Sequence, residues 1–199
     1  MVSRADRSSV AKWCWTIDLY FLGGFLLLMG LGIILSFAAS PAVAERIGLD
    51  PYHFVERQAL FMIPAFAVMI GVSFLNDRQV RRVALVLLAV TLTMMIAVLF
   101  IGVEVKGSKR WLQVASVSVQ PSEFMKPAFV VIAAWLFAER AKHPEIPGNL
   151  MATILFIIAA ALLVAQPDLG QTMLVTDTWG AMFFMAGMPW LWIVLMAGV

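Results

Sequence analysis

The longest polar interruption between the hydrophobic runs of this chain reads Glu104-Val-Lys-Gly-Ser-Lys-Arg-Trp-Leu-Gln-Val-Ala-Ser-Val-Ser-Val-Gln-Pro-Ser-Glu-Phe-Met-Lys126. Four of the fourteen Lys and Arg residues lie in it. Because the stretch joins two apolar segments, its charges are expected at a boundary between lipid and water. The rest of the chain is interpreted as scaffold for this stretch, with a second contribution from Gln166-Pro-Asp-Leu-Gly170.

The composition indicates a membrane protein. The 199 residues are 62% hydrophobic and 13% charged, and the mean hydropathy is +0.93. A water-soluble domain of this size could not cover so much apolar surface. Several apolar runs approach the roughly 20 residues that a helix needs to cross a bilayer core. We therefore predict an all-α, polytopic transmembrane bundle, and the small net charge of +2 gives no indication of a nucleic-acid partner.

Hydropathy and helix-breaking residues predict a tail, six complete helices and a truncated seventh. The tail is residues 1–16, and residues 17–199 are expected to belong to one transmembrane domain with an outer loop at 104–120. Pro41 and Asp50-Pro51 are expected to keep residues 40–57 out of a helix. The predicted helices are 17–39, 58–75, 83–103, 121–138, 149–165 and 171–186, with the seventh at 190–199.

The distribution of positive residues predicts a cytoplasmic N-terminus. Arg4, Arg7 and Lys12 lie in the tail, and a predicted short turn, Asn76–Arg82, adds three arginines. Cytoplasmic loops of membrane proteins carry an excess of Lys and Arg. In this topology the polar stretch lies outside, against the charge rule, which favours a binding role for its cations.

A basic cluster follows the third hydrophobic run. Lys106, Lys109 and Arg110 fall within five residues, and Trp111 comes next. Guanidinium and ammonium groups bind phosphate oxygens, and an indole can lie against a sugar or at the acyl boundary. The cluster suits a diphosphate at membrane height. The alternative is a loop anchored among lipid headgroups that orients the flanking helices, and spacing alone does not decide between them.

The segment Gln120-Pro-Ser-Glu123 is typical of a helix start, because proline fits the first helical position and an acid meets the positive end of the helix dipole. Glu123 and Lys126 are spaced i, i+3 and share one helix face. A lysine inside a membrane helix is costly unless paired. We therefore predict an ion pair, buried or half-buried, between Glu123 and Lys126.

Two more polar positions stand in apolar surroundings. Gln166-Pro167-Asp168 again places Gln, Pro and an acid before an apolar run. Asp177 lies near the middle of the predicted sixth helix, where a charge costs about 2.5–3.5 kcal/mol. It is therefore expected to be protonated, paired or directed at a polar cavity.

Three blocks of this sequence resemble a known family. They are Lys106-Gly-Ser-Lys-Arg-Trp111, Gln120-Pro-Ser-Glu-Phe-Met-Lys126 and Gln166-Pro-Asp-Leu-Gly170. In order and spacing they are similar to the signature blocks of the SEDS family (shape, elongation, division and sporulation). The basic turn after the second helix favours the division branch of that family over the elongation branch.

The resemblance implies a glycosyltransferase of the bacterial inner membrane that polymerises lipid II into peptidoglycan strands at the division septum. Its implied partners are a class B penicillin-binding transpeptidase and other divisome membrane proteins. No cofactor is certain, and a divalent cation at the diphosphate is left open. The residues expected to bind substrate are Lys106, Lys109, Arg110, Trp111, Gln120, Ser122, Glu123, Lys126, Gln166 and Asp168.

The resemblance also implies limits. The catalytic aspartate of the family is expected in a large outer loop after the seventh helix, and this chain stops within that helix. The chain is therefore predicted to be an N-terminal fragment that is inactive alone. Two alternatives remain: a lipid II flippase, and a membrane scaffold that recruits the septal transpeptidase.

Overall fold

The structure, a computed structural model, describes residues 13, 17–105, 108–114 and 117–187. Apart from residue 13, the described part begins at residue 17, which is where the first predicted helix begins. Lys106, most of the predicted tail and the run 190–199 lie outside it. The elements are α1 Leu19–Arg46, α2 His53–Ser73, α3 Asp77–Ile101, β1 Val103–Val105, β2 Ser108–Val114, β3 Val117–Val119, α4 Pro121–Lys142, α5 Gly148–Ala165 and α6 Leu169–Met185.

The described residues confirm a polytopic helical architecture. Five of the helices, α1 to α5, are long and apolar enough to cross a membrane. The chain divides into two compact units, one ending at Asn76 and the other beginning at Asp77. The single domain over 17–199 and the cytoplasmic N-terminus stay predictions.

The first unit consists of α1 and α2, which pack against each other. Ser36 Oγ donates a hydrogen bond to Gln58 Oε1, which satisfies two polar side chains between apolar helices. Gly32 gives the Gln58 amide room, because a Cβ there would lie 3.2 Å from Gln58 Nε2. Such hydrogen bonds hold helices together in lipid, where the hydrophobic effect does not.

The prediction that the first helix ends at residue 39 is wrong. α1 continues through Pro41 to Arg46, and α2 already begins at His53, so the predicted loop 40–57 is much shorter. A proline removes only one donor from a long helix, and in membrane helices neighbouring helices, hydroxyl side chains or local backbone adjustments satisfy the carbonyl that is freed. Ser40 Oγ also donates to Pro51 O at 2.7 Å, which ties the end of α1 to the connection that follows it.

The predicted turn Asn76–Arg82 is also mostly helical, because α3 begins at Asp77. The acid in the first turn favours this start through the helix dipole. The three arginines therefore lie on the first two turns of α3. One of them, Arg81, has its guanidinium carbon 5.6 Å from the ring centroid of Trp135 on α4, a cation–π distance.

The second unit is organised around α4, which packs against α3, α5 and α6. In the apolar stretch of α4 that is long enough to cross a membrane, half of the residues are buried, whereas none are buried in the corresponding stretch of α1. Small residues let the helices approach: a Cβ on Gly148 would lie only 2.2 Å from Leu136 O. In the same unit, Trp179 stacks on Phe156 and on Phe183, with ring centroids 4.5 Å and 4.6 Å away.

The sequence predicts an all-α fold with an outer loop at 104–120, but the polar stretch between α3 and α4 contains β-strands. It forms an antiparallel sheet in the order β1-β2-β3. Val103 pairs with Trp111 and Glu104 pairs with Lys109, so Arg110 has no opposite residue on β1. This is a one-residue β-bulge, a feature that redirects a side chain.

Candidate functional site

Polar segments from distant parts of the sequence meet at one end of the second unit. The sheet joins the end of α3 to the start of α4, and β2 contacts both helices. The turn between α5 and α6 lies at the same end, because α4 and α5 run up and down beside each other. The cations of β2 and α4 therefore meet the polar residues at the start of α6.

The first contact set is the Arg110 pair, which consists of Arg110, Asp168 and the Pro167 carbonyl. Arg110 Nη1 lies 3.5 Å from Asp168 Oδ1, and Nη2 donates to Pro167 O at 2.6 Å and to Ser108 Oγ at 3.2 Å. The Asp168 side chain is only 7% exposed, whereas Arg110 is 34% exposed. A guanidinium carries five N–H donors. Nη2 uses both of its donors on Pro167 and Ser108, and Nε is buried without a partner. The donor that Arg110 retains for an anion is therefore on Nη1.

Asp168 is held from a second direction. Gln120 Nε2 donates to Asp168 Oδ2 at 3.3 Å and to Ser122 Oγ at 3.1 Å. Gln120 precedes α4 and Asp168 precedes α6, so this amide connects the starts of the two helices. The Asp168 carboxylate makes no cap bond to α6. Both of its oxygens are committed to Arg110 and Gln120 instead.

The second contact set is the Lys126 ring, formed by Lys126, Glu123 and Gln171. Lys126 Nζ donates to Glu123 Oε2 at 2.8 Å and to Gln171 Oε1 at 2.5 Å. Gln171 Nε2 then donates to Glu123 Oε1 at 2.8 Å. Lys126 is 18% exposed and Glu123 47% exposed. The half-buried ion pair predicted from the i, i+3 spacing is therefore confirmed.

Gln166 has a different position from the other residues expected to bind substrate. Its side chain is 1% exposed, and Nε2 donates to Met95 O at 3.0 Å. Ser122 is also fully buried. In this structure Gln166 is buried and holds the end of α5 against α3. A role of Gln166 in substrate binding stays a prediction.

The remaining predicted residues lie around the cluster or outside the described part. Lys109 is exposed on β2 and Trp111 is partly exposed beside it, while Lys106 is outside the described residues. Asp177 is exposed on α6 and makes no hydrogen bond or ion pair with a described residue. Within the described ranges, no group of three or more His, Cys, Asp or Glu side chains could hold a metal ion.

Two groups of the site were not predicted from the sequence. Gln171 carried a signal, because it lies three residues after Asp168 and so shares its face of α6. The Pro167 carbonyl carried none, since any residue supplies a carbonyl. The Arg110 pair and the Lys126 ring together are called the cluster. The cluster presents two cations that are fixed by carboxylates and amides at one end of apolar helices. Such an arrangement can hold a multiply charged anion whose remainder lies in lipid.

A family model described as a cell cycle protein, and labelled with FtsW, RodA and SpoVE, matches residues 18–199. The chain belongs to this family. The family predicted from the three sequence blocks is thereby confirmed. The match includes every residue of the Arg110 pair and the Lys126 ring.

Two curated relatives carry the name "Probable peptidoglycan glycosyltransferase FtsW". The protein from Caulobacter vibrioides is 46% identical over 198 residues, which is 99% of this chain and 51% of that protein. The protein from Nitrosococcus halophilus is 33% identical over 173 residues, 85% of this chain and 45% of its own length. The chain thus spans about half the length of the curated relatives it matches.

Solved structures of related fold support the helical arrangement. The crystal structure of the rod shape determining protein RodA from Thermus thermophilus has a TM-score of 0.71 at 23% identity. The matched region covers 86% of this chain and 56% of the RodA chain. A chain of a peptidoglycan synthase complex has a TM-score of 0.62 at 24% identity and covers 84% of this chain and 51% of that one. At these identities the likeness establishes the fold alone.

Proposed function

We propose that this chain supplies the diphosphate-binding wall of a peptidoglycan glycosyltransferase that polymerises lipid II during septal cell-wall synthesis. The observation that carries the proposal is the convergence of Arg110 and Lys126 at the start of α6. Membership in a family whose relatives are named peptidoglycan glycosyltransferases supports it. The proposal places the protein in the bacterial inner membrane, at the division site.

The proposed reaction is glycosyl transfer with inversion between two lipid II molecules. The 4-hydroxyl oxygen of one disaccharide forms a bond to the anomeric carbon of the other, and its proton passes to a general base. The bond from that carbon to the diphosphate oxygen breaks, and undecaprenyl diphosphate leaves with the electron pair. Negative charge therefore develops on the diphosphate in the transition state.

The cluster suits this leaving group. Cations that are fixed before the reaction stabilise developing charge without reorganising. Arg110 retains a donor on Nη1 beyond the one that faces Asp168, and exposed Lys109 adds a second charge on β2. Trp111 would lie against a sugar or against the start of the lipid. Glu123 and Asp168 each neutralise a cation, so we assign the general base to a carboxylate of the full protein outside this cluster.

The proposal includes a partner enzyme. Glycan strands require crosslinking after polymerisation, and a chain of similar fold occurs in a peptidoglycan synthase complex that combines polymerization with crosslinking. We therefore propose a class B penicillin-binding transpeptidase as partner, together with other membrane proteins of the divisome.

The test is polymerisation of fluorescent lipid II by the purified full-length protein in complex with its transpeptidase. Arg110→Ala and Lys126→Ala are each expected to lower the initial rate by at least about a hundred-fold, the loss typical of removing one group that stabilises transition-state charge. Lys142→Ala is the matched control, because Lys142 is an exposed lysine at the opposite end of α4. It is expected to leave the rate unchanged.

The outcomes separate the proposal from its alternatives. Normal polymer yield from folded Arg110→Ala and Lys126→Ala proteins would overturn the assignment. Translocation of lipid II across liposomes without polymer would favour the flippase. Normal cell division with neutral residues at 109 and 110 would favour the scaffold.

A further inference from the structure

Gln171 is the one member of the Lys126 ring that is not among the residues expected to bind substrate and has no part in the proposed reaction. Its amide oxygen accepts from Lys126 Nζ at 2.5 Å, and its amide nitrogen donates to Glu123 Oε1 at 2.8 Å. Lys126 and Glu123 are themselves joined at 2.8 Å. Three side chains from two helices thus form a closed cycle, in which Gln171 lies 45 residues from Lys126 in sequence.

Only a side chain with both an acceptor and a donor can close this cycle. The carboxamide of glutamine has one oxygen and one NH2 group at its end. A carboxylate at position 171 could accept from Lys126 but would repel Glu123. An apolar side chain of similar length would reach both groups and bind neither. Among unbranched side chains of this length, only the amide of glutamine supplies both a donor and an acceptor.

The cycle determines how many donors Lys126 has left. An ammonium group has three N–H bonds, and Glu123 and Gln171 take two of them. One donor remains, on a side chain that is 18% exposed. A free lysine samples many rotamers, and ordering it costs free energy. The cycle fixes the ammonium group before any anion arrives.

Stability alone does not explain the arrangement. Ion pairs whose members are partly solvated contribute little to the free energy of unfolding, and Glu123 is close to half exposed. We propose that Gln171 is a positioning residue, which holds Lys126 so that its third N–H donates to a phosphate oxygen of the substrate. This inference rests on the proposed function and adds one residue to its machinery.

The experiment is a double-mutant cycle in the full-length protein with its transpeptidase, measured as the initial rate of lipid II polymerisation. Gln171→Met is expected to lower kcat/KM about ten-fold, the loss typical of one hydrogen bond to a charged group. In the Lys126→Ala background, Gln171→Met is expected to cause no further loss, because its effect passes through Lys126. Gln171→Glu is expected to be at least as impaired as Gln171→Met.

Farnesyl diphosphate serves as a second probe, as a competitor of lipid II. Gln171→Met is expected to raise its inhibition constant and to leave that of farnesol unchanged. The melting temperature is expected to shift little. The control is Gln79→Met, the same change at the start of α3, and it is expected to leave the polymerisation rate and both inhibition constants at their wild-type values.

Each contrary result has a separate meaning. Additive losses from Gln171→Met and Lys126→Ala, or a wild-type rate for Gln171→Glu, would overturn the positioning role. A wild-type rate for Gln171→Met beside an inactive Lys126→Ala would overturn that role and leave the proposed function intact. Full activity of Lys126→Ala itself would count against the proposed function.

Discussion

The Arg110 pair and the Lys126 ring both reach the start of α6, but they distribute burial in opposite ways. In the Arg110 pair the anion is buried and the cation is partly exposed. In the Lys126 ring the cation is the more buried partner, and its carboxylate is nearly half exposed. Similar ion pairs at one site therefore contribute differently to stability, because the group left behind when a partner is removed differs.

The largest effect is expected from Arg110→Met. Asp168 would keep a nearly buried carboxylate without its cation, and the free energy of unfolding should fall by about 3 kcal/mol, the low end for a broken buried pair. Equilibrium unfolding of the purified full-length protein in mixed micelles measures this loss. Lys109→Met is the control. Lys109 is the exposed neighbour of Arg110, and its replacement should change the free energy of unfolding by no more than about 0.5 kcal/mol.

Adding Asp168→Asn to Arg110→Met tests the reason for that loss. A neutral amide removes the uncompensated charge and still accepts from Gln120, so the double variant should be more stable than Arg110→Met alone. A double variant that is less stable would contradict the buried-anion explanation.

Asp177 extends the comparison to a carboxylate that has no partner among the described residues. Asp177→Leu should favour membrane insertion of an isolated α6 segment by about 2.5 kcal/mol, the low end for removing a charge from a helix centre. A glycosylation-based insertion assay measures the shift. Met173→Leu, an exposed apolar change on the same helix, should have no comparable effect. Equal insertion of the Asp177→Leu and wild-type segments would contradict the insertion cost assigned to this acid.

The smallest effect on stability is expected from Lys126→Met. Glu123 lies in the first turn of α4, is nearly half exposed and keeps its hydrogen bond from Gln171 when the lysine is lost, so the free energy of unfolding should fall by less than about 1 kcal/mol. The same unfolding measurement applies, with Lys142→Met as the reference. A loss as large as that of Arg110→Met would remove the contrast between the two contact sets.

The part of the site that could be predicted from the sequence is the local part. The i, i+3 spacing of Glu123 and Lys126 fixes their approach once α4 forms, and Pro121 marks where α4 begins. Composition and apolar run length likewise predicted a polytopic helical bundle.

The long-range part could not be predicted in this way. Arg110 and Pro167 are 57 residues apart, and they meet only because α4 and α5 return the chain to the same end. The continuation of α1 through Pro41 is accompanied by a contact with the following segment, from Ser40 to Pro51, which the proline pattern does not indicate. The sheet was hidden because its strands are short, at three, seven and three residues.

The bulge at Arg110 makes the length of β2 as important as its chemistry. Side chains change face with every residue of a strand, and Leu112 lies buried two residues after Arg110. Deleting Ser108 would keep every charge, yet it would give Arg110 a regular partner on β1 and change the face of the side chains on one side of the bulge. The bulge at Arg110 therefore sets the register of β2. A transplanted or redesigned version of this stretch would have to preserve the number of residues first and the composition second.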